Sequence, residues 1–552
     1  MYTTMRIDYI TRKHKGKQYT AILLRHAYRD KGKVRHKTLL NLTHYPTEDI
    51  EAMRIALQHK SKLYLLANFN EMEITTLKSV GATYLLHHVA KELMITRALG
   101  DSRFGRIILW EVISRLIEPT SKLGSVRLAI QHAVLETLNM EAFNEDHIYD
   151  ALTWLDENQG KIEKRLFDAR SNTVNSLLLY DVTSSYFEGK KNELAEYGYN
   201  RDKKKGKKQI VIGLLTDEQG IPVSVQVYKG NTQDVATLND QIEKTCKVFG
   251  VSSVVFVGDK GMIKTKGQEA LTQSGFNYIT GITRPQIETL LKSGVLQMSL
   301  FDSEIKEITD IDNNTRYILR RNPIRAQELE ANNKAKLDSL QVFVEEKNRY
   351  LENHPRAKSQ KALEKVDAKA RKLNIAKWLD ISLEGRKISV SIMQEQLREA
   401  SRLDGCYVIK SDVKQTRMDA QAIHDRYKDL SKVEHAFRDS KTQYLEVRPI
   451  FLRKKENTRA HVFIVMLSYM INQQLEKYWS NLDISVKEGV DKLSKICLQK
   501  VMIRNKAFYI IPEPDAQAKQ LLDQAKVKLP KTLRPKEYEV YTKIKLQKNR
   551  KQ

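Results

Sequence analysis

The segment Tyr427–Lys441, YKDLSKVEHAFRDSK, carries a glutamate among basic and aromatic residues at helical spacing. Tyr427, Leu430, Glu434 and Lys441 lie at i, i+3, i+7 and i+14, which predicts a single helix that displays them along one side. A carboxylate flanked there by an ammonium group and a phenol suits a divalent metal ion beside a phosphodiester. Glu434 is therefore a candidate metal ligand, although one glutamate on a helix is weak evidence by itself.

Two aspartates upstream could complete the same site. Asp181, in LLLYDVTSSYFEG, shares a strand face with Leu179 and Thr183 at period two, and an acid in an apolar strand is costly unless a cation or hydrogen bonds compensate. Asp259, in VVFVGDKGMI, follows another apolar run. The alternatives are an aspartate satisfied by backbone donors and an ordinary turn. Two-metal phosphoryl transfer needs carboxylates that hold two ions about 3.5–4 Å apart, and carboxylate oxygens suit Mg²⁺, with Mn²⁺ as a substitute.

A basic loop, RDKKKGKK at 201–208, joins the first two predicted strands of this region, and six of its eight residues are Lys or Arg. Such a loop at a sheet edge can neutralise several phosphates, while the plainer interpretation is a solvated loop. The residues predicted to contact DNA here are Lys203, Lys204, Lys205, Lys207 and Lys208.

The overall charge favours a polyanionic partner. The chain has 552 residues, with 94 Lys and Arg against 68 Asp and Glu, a formal net charge of +26. Nucleic acid is the first expectation. A membrane is not expected, because the longest apolar stretch, 462–471, is shorter than the ~20 residues of a span. The N-terminus lacks a secretory pattern, which predicts a cytoplasmic, nucleoid-associated protein, and the three cysteines lack the spacing of a zinc finger or a disulfide framework.

The elements that must position these residues form a β-rich core behind a helical region. We expect a basic β-hairpin in 1–46 and an all-helical, DNA-binding region in 47–172, although helix bundles without DNA contact are common. The core then alternates strands and helices in the order β-β-β-α-β-α-β, typical of an RNase H-like fold. Its predicted strands are Ser176–Phe187, Ile210–Thr216, Ile221–Tyr228, Val251–Val257 and one ending near Ile282.

The alternation stops after residue 284. Residues 325–373 are rich in Lys, Glu and Ala with a helical apolar stripe, which predicts long exposed helices or a helical hairpin. The sequence thus predicts an α/β protein whose RNase H-like mixed-sheet core is interrupted by a mainly helical insertion. The predicted boundaries are 173–284 for the first part of the core, 285–403 for the insertion, 404–480 for the second part with the Glu434 helix, and 481–552 for a C-terminal helical region and basic tail, a candidate for dimerisation.

Several linked motifs resemble the DDE transposases of bacterial insertion sequences. They are DVTSSYFEG, GYNRDKKKGKKQIVIGLLTDEQGIPVSVQVYKGNTQD, VGDKGMI, YKDLSKVEHAFRDSK and VRPIF, in that order. The chain is most similar to the large group with the signature Tyr-x2-Arg-x3-Glu-x6-Lys. The resemblance implies that Asp181, Asp259 and Glu434 are catalytic residues and bind two Mg²⁺ ions. It also implies that Tyr427 and Lys441 approach DNA phosphates.

The chain departs from that family in two places. Leu430 occupies the arginine position of the signature, and Arg438, one turn beyond Glu434, is a candidate substitute for the missing phosphate contact. Family members often carry a β-rich insertion, whereas this one is predicted to be helical. Trp378 within it is a candidate for stacking on a flipped base, against the commoner role of a core tryptophan.

The predicted function is that of a transposase. It would bind the terminal inverted repeats of its element, cut at the ends and join the 3′-hydroxyl to target DNA, as a homodimer on double-stranded DNA. One alternative is an RNase H-like nuclease without strand transfer. Another is a non-catalytic DNA-binding protein derived from a transposase, which the presence of all three acids disfavours.

Overall fold

The fold comes from a computed structural model that describes residues 4–536. Within that range it leaves out residues 15–16, 31, 61–71, 171–176, 190, 200, 203, 205, 303–304, 311–313, 443–444, 448–449 and 504–505. The chain forms two compact units. One comprises residues 1–89, 120–145 and 475–552, and the other comprises residues 90–119 and 146–474.

The strands in chain order are β1 (Thr4–His14), β2 (Lys17–Asp30), β3 (Lys33–Asn41), β4 (Met72–Ser79), β5 (Leu177–Tyr186), β6 (Gln209–Asp217), β7 (Pro222–Lys229), β8 (Val255–Gly258), β9 (Asn277–Gly281), β10 (Lys306–Asp310), β11 (Thr315–Arg321), β12 (Leu379–Glu384), β13 (Lys387–Ile392), β14 (Cys406–Ser411), β15 (Cys497–Ile503) and β16 (Lys506–Ile510).

The helices in chain order are α1 (Thr47–Gln58), α2 (Gly81–Glu92), α3 (Ile95–Leu99), α4 (Arg103–Ile117), α5 (Lys122–Gln131), α6 (Val134–Thr137), α7 (Glu145–Arg170), α8 (Asp234–Lys247), α9 (Thr265–Gln273), α10 (Arg284–Lys292), α11 (Pro323–Asn353), α12 (Ser359–Lys372), α13 (Gln394–Ser401), α14 (Ala420–Lys428), α15 (Leu430–Thr442), α16 (Lys455–Tyr478), α17 (Val486–Ser494) and α18 (Ala516–Gln524). Among the helices of the described residues, none combines the length and apolar character that crossing a bilayer requires.

A large mixed sheet dominates the second unit. Its strand order is β10-β11-β14-β9-β8-β5-β6-β7. The strands β5, β6 and β7 form an antiparallel meander, and β5, β8 and β9 are parallel, with α8 and α9 in the connections. The predicted order of elements from residue 177 to 281 is therefore confirmed, although β8 begins at Val255 rather than at Val251.

The central strands form because both faces of the sheet are covered. Every residue of β6 is buried, and β5 is buried except at Asp181 and Tyr186. On one face, the Tyr180 hydroxyl donates to the Thr237 carbonyl of α8 at 3.2 Å. The other face packs against α15. Near-continuous apolar runs are typical of strands covered on both sides, which is why the sequence located them well.

The insertion is less helical than predicted. The helical hairpin is present as α11 and α12, but β10 and β11 belong to the main sheet, and β12 and β13 form a separate hairpin. The stacking role considered for Trp378 is also wrong for this conformation. Its side chain is 5% exposed and lies in an apolar core with Leu340, Val366 and Ile388. A base cannot reach a ring that the core encloses.

The first unit contains two small sheets that the sequence predicted only in part. The expected hairpin near residues 19–42 has a third strand, β1, so that the order is β1-β2-β3. The expectation of an all-helical region in 47–172 is wrong at β4, which pairs with β15, and the C-terminal region also contains β16. Because Met72 pairs with Ile503, no local pattern could reveal this sheet. The predicted tail beyond residue 536 lies outside the described residues.

Candidate active site

Asp181 lies near the middle of β5, and its carboxyl interacts with the other two predicted acids. Its Oδ1 accepts a hydrogen bond from the Val182 amide at 2.7 Å. The pKa of Asp181 is raised to about 7, chiefly by burial and also by the negative charges of Asp259 and Glu434, while the Val182 amide and Arg201 act in the opposite direction. Electrostatic interactions of this kind weaken with distance. The structure therefore brings the three sequence-predicted acids to one region of the sheet.

Asp259 begins a tight turn at the end of β8. Its carbonyl accepts from the Met262 and Ile263 amides at 2.9 and 3.2 Å, and its Oδ1 accepts from the Lys260 amide at 2.7 Å. The turn interpretation of Asp259 is thus confirmed, and its role as a metal ligand stays a prediction. A Cβ atom at Gly261 would lie 4.0 Å from Oδ2 of Asp259 and equally far from Oδ2 of Asp234.

The expected single helix through Tyr427 and Glu434 is wrong, because α14 and α15 are separate helices. The residue between them, Asp429, forms ion pairs with Arg426 at 3.1 Å and Lys432 at 2.9 Å. Aspartate side chains engage nearby groups and disfavour helix interiors, which accounts for the break. Glu434 is exposed on α15, whereas Tyr427 lies at the end of α14.

Tyr427 nevertheless lies near the same acids. Burial raises the pKa of its phenol, followed by the charges of Asp259 and Glu434 and by smaller contributions that include Asp181. The hydroxyl packs closely against Gly281 at the end of β9, where an added Cβ atom would lie 2.4 Å from the phenol oxygen. Tyr427 therefore stands close enough to all three acids to be affected by their charges.

Lys441 holds α15 against β5. Its ammonium group donates to Thr183 Oγ1 at 2.6 Å and to the Ser184 carbonyl, and lies 3.4 Å from the Asp202 carboxylate. The side chain is only 10% exposed. In this conformation Lys441, which was predicted to contact a DNA phosphate, instead fixes the helix that carries Glu434.

The remaining predicted DNA contacts lie nearer the surface. Arg438 is exposed on α15 and forms hydrogen bonds of 2.6–2.7 Å with the His435 ring. In the basic loop, Lys207 pairs with Glu188 at 2.8 Å, and Lys208 lies 5.7 Å from the centre of the Tyr197 ring. Lys204 is exposed, while Lys203 and Lys205 lie outside the described residues.

Arg201 is the site residue that sequence reasoning did not single out. Although it begins the basic loop, its guanidinium group donates to the Val182 carbonyl and to Asp234 Oδ2, the latter at 2.8 Å. Its charge also lowers the pKa of Asp181. The lysine-rich composition suggested outward-facing side chains, and no local signal distinguishes this inward arginine from its neighbours.

The acids fit a divalent cation in their chemistry but do not form a closed ligand shell. In the parts of the chain that the structure describes, no three His, Cys, Asp or Glu side chains come together closely enough to hold an ion. All three acids offer hard carboxylate oxygens, which Mg²⁺ and Mn²⁺ prefer. Burial and the negative charges of Asp259 and Glu434 raise the pKa of Asp181, and a bound cation would oppose both effects.

Comparison with known proteins gives two family matches. The family model described as a transposase DDE domain matches residues 172–471, and the N-terminal domain of the IS1634 family transposases matches residues 7–65. No curated protein matches. Among solved structures, a cryo-EM structure of a piggyBac transposase synaptic complex with hairpin DNA is similar at a TM-score of 0.32 and 9% identity, covering 75% of each chain. The first family match spans more than half of the sequence and contains Asp181, Asp259 and Glu434.

Proposed function

The chain belongs to the DDE transposases of insertion sequences, and from this premise we propose that it cuts the ends of its element and joins them to target DNA. The observation that carries this proposal is the electrostatic coupling of Asp181 with Asp259 and Glu434. Like charges that share one region repel one another, and a common cation beside a phosphodiester would relieve that repulsion.

The three acids would act together as metal ligands in the proposed site. Asp181, Asp259 and Glu434 would hold two Mg²⁺ ions, or Mn²⁺ in their place. When bound, the ions activate the attacking oxygen and stabilise the leaving oxygen. Asp181 would provide a rigid ligand because β5 is buried, whereas the exposed side chain of Glu434 on α15 could change its position. Arg201 favours the ionised form of Asp181, which is the form that binds a cation.

We further propose that the core is RNase H-like. The strand order β7-β6-β5-β8-β9, an antiparallel meander continuing into two parallel strands, supports this assignment. In such a sheet Asp181 lies on the first strand and Asp259 just after the fourth. These positions on the sheet support the proposal that both aspartates are catalytic.

Double-stranded DNA is the proposed partner, at the terminal inverted repeats and at the target. Tyr427 and Lys441 would lie beside the scissile phosphate. The wider contacts would come from Arg438, Lys203, Lys204, Lys205, Lys207 and Lys208. Two ends must be processed together, so we propose a homodimer assembled on DNA. The net charge of +26 supports a polyanionic ligand of this size.

Substitution of the acids tests the catalytic assignment. Asp181→Asn, Asp259→Asn and Glu434→Gln should each abolish Mg²⁺-dependent cleavage of DNA that carries the inverted repeats flanking the gene, while binding of that DNA persists. Asp439→Asn is the matched control, because Asp439 also lies on α15 but is not one of the three coupled acids. Full cleavage by any of the three acid variants would refute the assignment.

Precleaved ends separate a transposase from a nuclease of the same fold. With precleaved inverted-repeat ends, target DNA and Mg²⁺, the wild-type chain should give joined products. Cleavage of intact ends without joining would identify a nuclease. Binding without either reaction would identify a DNA-binding protein that has lost catalysis.

A further inference from the structure

Arg320 is a charged residue of the main sheet whose hydrogen-bond partner is not an acid. It lies near the end of β11 with its side chain partly exposed, and its Nη1 is 3.1 Å from Nε2 of His424 on α14. Among the described residues, no carboxylate forms an ion pair with it. Arg316 on the same face of β11 differs, because its guanidinium group donates to both oxygens of Glu307, at 2.6 and 3.0 Å. Arg316 is therefore neutralised, whereas Arg320 is not.

His424 fixes Arg320 without neutralising its charge. The ring is fully buried, and since a guanidinium group can only donate, Nε2 must be the acceptor. Nε2 also accepts from the Tyr407 hydroxyl at 2.6 Å, while Nδ1 donates to Asp425 at 3.1 Å. Burial lowers the pKa of His424, which favours the same neutral ring, although Asp425 acts in the opposite direction. A neutral imidazole thus holds the arginine in one position and leaves it cationic.

The guanidinium group of Arg320 has unused donors. Its contact with His424 involves Nη1 alone, and in the part of the chain that the structure describes, Nε and Nη2 make no hydrogen bond. Neither atom is enclosed in the interior, so both can reach a ligand in solvent. A planar fork of two N–H groups matches the oxygens of a phosphate. Arg320 is therefore a preformed anion-binding group.

The helix that holds Arg320 also connects it to the acids. Three residues after His424, the phenol of Tyr427 is affected by the charges of Asp259 and Glu434. Arg320 therefore lies on the face of the sheet that carries the acids. In the strand order β11-β14-β9-β8, its strand is three spacings from the strand that Asp259 follows, about 14 Å. One strand of DNA rises about 3.4 Å per nucleotide, so this separation spans about four nucleotides.

We propose that Arg320 binds a backbone phosphate of the DNA about four nucleotides from the point of cleavage. Nε and Nη2 donate to the phosphate oxygens, while Nη1 remains bonded to His424. Arg320 is then a positioning residue, which sets where the duplex lies relative to the acids without contacting the reacting atoms. The inference deepens the proposed function, since it assumes that DNA is the substrate.

Single neutral phosphates test the proposal with the full chain. Duplexes that carry the inverted repeat receive one methylphosphonate each, at successive positions near the cut, and their affinities are measured in EDTA, where no metal-dependent cleavage occurs. The wild type should lose about tenfold in affinity at the phosphate that Arg320 contacts. Arg320→Ala should bind the unmodified duplex about tenfold more weakly and lose its sensitivity at that position alone. Its dependence of log affinity on log salt should fall by about 1.

Two further variants separate binding from folding. Arg321→Ala is the matched control, because Arg321 is the exposed neighbour on the opposite face of β11, and it should keep the wild-type pattern. Arg320→Lys keeps the charge but lacks the planar fork, so its penalty should shrink at the same phosphate and nowhere else. This variant decides the question even where Arg320→Ala does not fold.

Two results would overturn the contact. One is a wild-type pattern of penalties in both Arg320 variants. The other is a uniform loss of affinity with sensitivity kept at every position, which would assign Arg320 to folding alone. Failure of the proposed function looks different. A wild-type chain that shows the Arg320-dependent penalty but cuts no DNA in Mg²⁺ would refute catalysis, whereas one that cuts DNA without that penalty would refute only the contact.

Discussion

At the scale of single residues, the ionisation of Asp181 is the property most directly tied to function. Its carboxyl sits among two like charges and one guanidinium group, and burial raises its pKa to about 7 from an ordinary value of 3.8. At neutral pH this carboxyl is therefore only partly ionised, and a bound cation would displace its proton. Metal affinity should rise with pH through this range, because only the ionised carboxylate is a ligand.

Replacing Asp181 should stabilise the metal-free protein in alkaline solution. The unfolded carboxyl ionises near pH 4 and the folded one near pH 7, so the stability of the folded state falls as the pH rises between these values. Asp181→Asn should remove this loss of stability. The expected gain in the free energy of unfolding at pH 8 is at most about 4 kcal/mol, and the partial exposure of the side chain makes it smaller. Urea unfolding in EDTA at pH 4 and pH 8 measures the difference.

The control is Asp380→Asn, at an exposed acid on β12, which should keep the wild-type dependence on pH. An Asp181→Asn variant that is no more stable than the wild type at pH 8 would contradict the claim that ionisation of Asp181 destabilises the folded chain.

At the scale of elements, the sequence located the strands of the main sheet and the long helices because their patterns are local. It failed where pairing is distant, as for β4 with β15, and where one polar residue divides a helix, as at Asp429. The same contrast holds in the site. The acids are identifiable by type and by strand position, whereas Arg201 acquires its role only through contacts that the fold creates.

Lys441→Ala should weaken the packing of α15 against β5. The substitution removes hydrogen bonds to Thr183 and to the Ser184 carbonyl, leaving partly buried acceptors unsatisfied. We expect a loss of about 1–3 kcal/mol in the free energy of unfolding, measured by chemical denaturation. Lys428→Ala, at the exposed end of α14, is the control and should change stability by less than about 0.5 kcal/mol. Equal effects of the two variants would contradict the anchoring role.

The contact between β9 and α14 can be tested with glycine substitutions. A Cβ atom at Gly281 would lie 2.4 Å from the Tyr427 hydroxyl, so Gly281→Ala should displace the tyrosine and cost about 1–3 kcal/mol. Adding Tyr427→Phe should recover part of that loss by removing the hydroxyl. Gly160→Ala is the control, because Gly160 lies in α7 with open space around it and should be neutral or stabilising. Thermal unfolding of the three variants and the wild type measures the effects.

At the scale of the whole molecule, the insertion has an apolar core of its own around Trp378. Trp378→Ala should therefore destabilise this segment by about 3–5 kcal/mol, detected as faster proteolysis of residues 323–401. Loss of binding to DNA that carries the inverted repeats, without faster proteolysis, would instead indicate a direct role for the tryptophan in binding DNA.

Most of the insertion leaves and re-enters the sheet at a single point. Residues 322–405 follow β11 and precede β14, which are antiparallel neighbours, with Arg321 paired to Cys406 and the Asn322 amide donating to the Gly405 carbonyl at 2.8 Å. Residues 322–405 are thus, in topology, the enlarged loop of one β-hairpin. A longer, shorter or different segment could replace that loop without a change in strand register. This hairpin is therefore a site at which whole domains can be inserted during evolution.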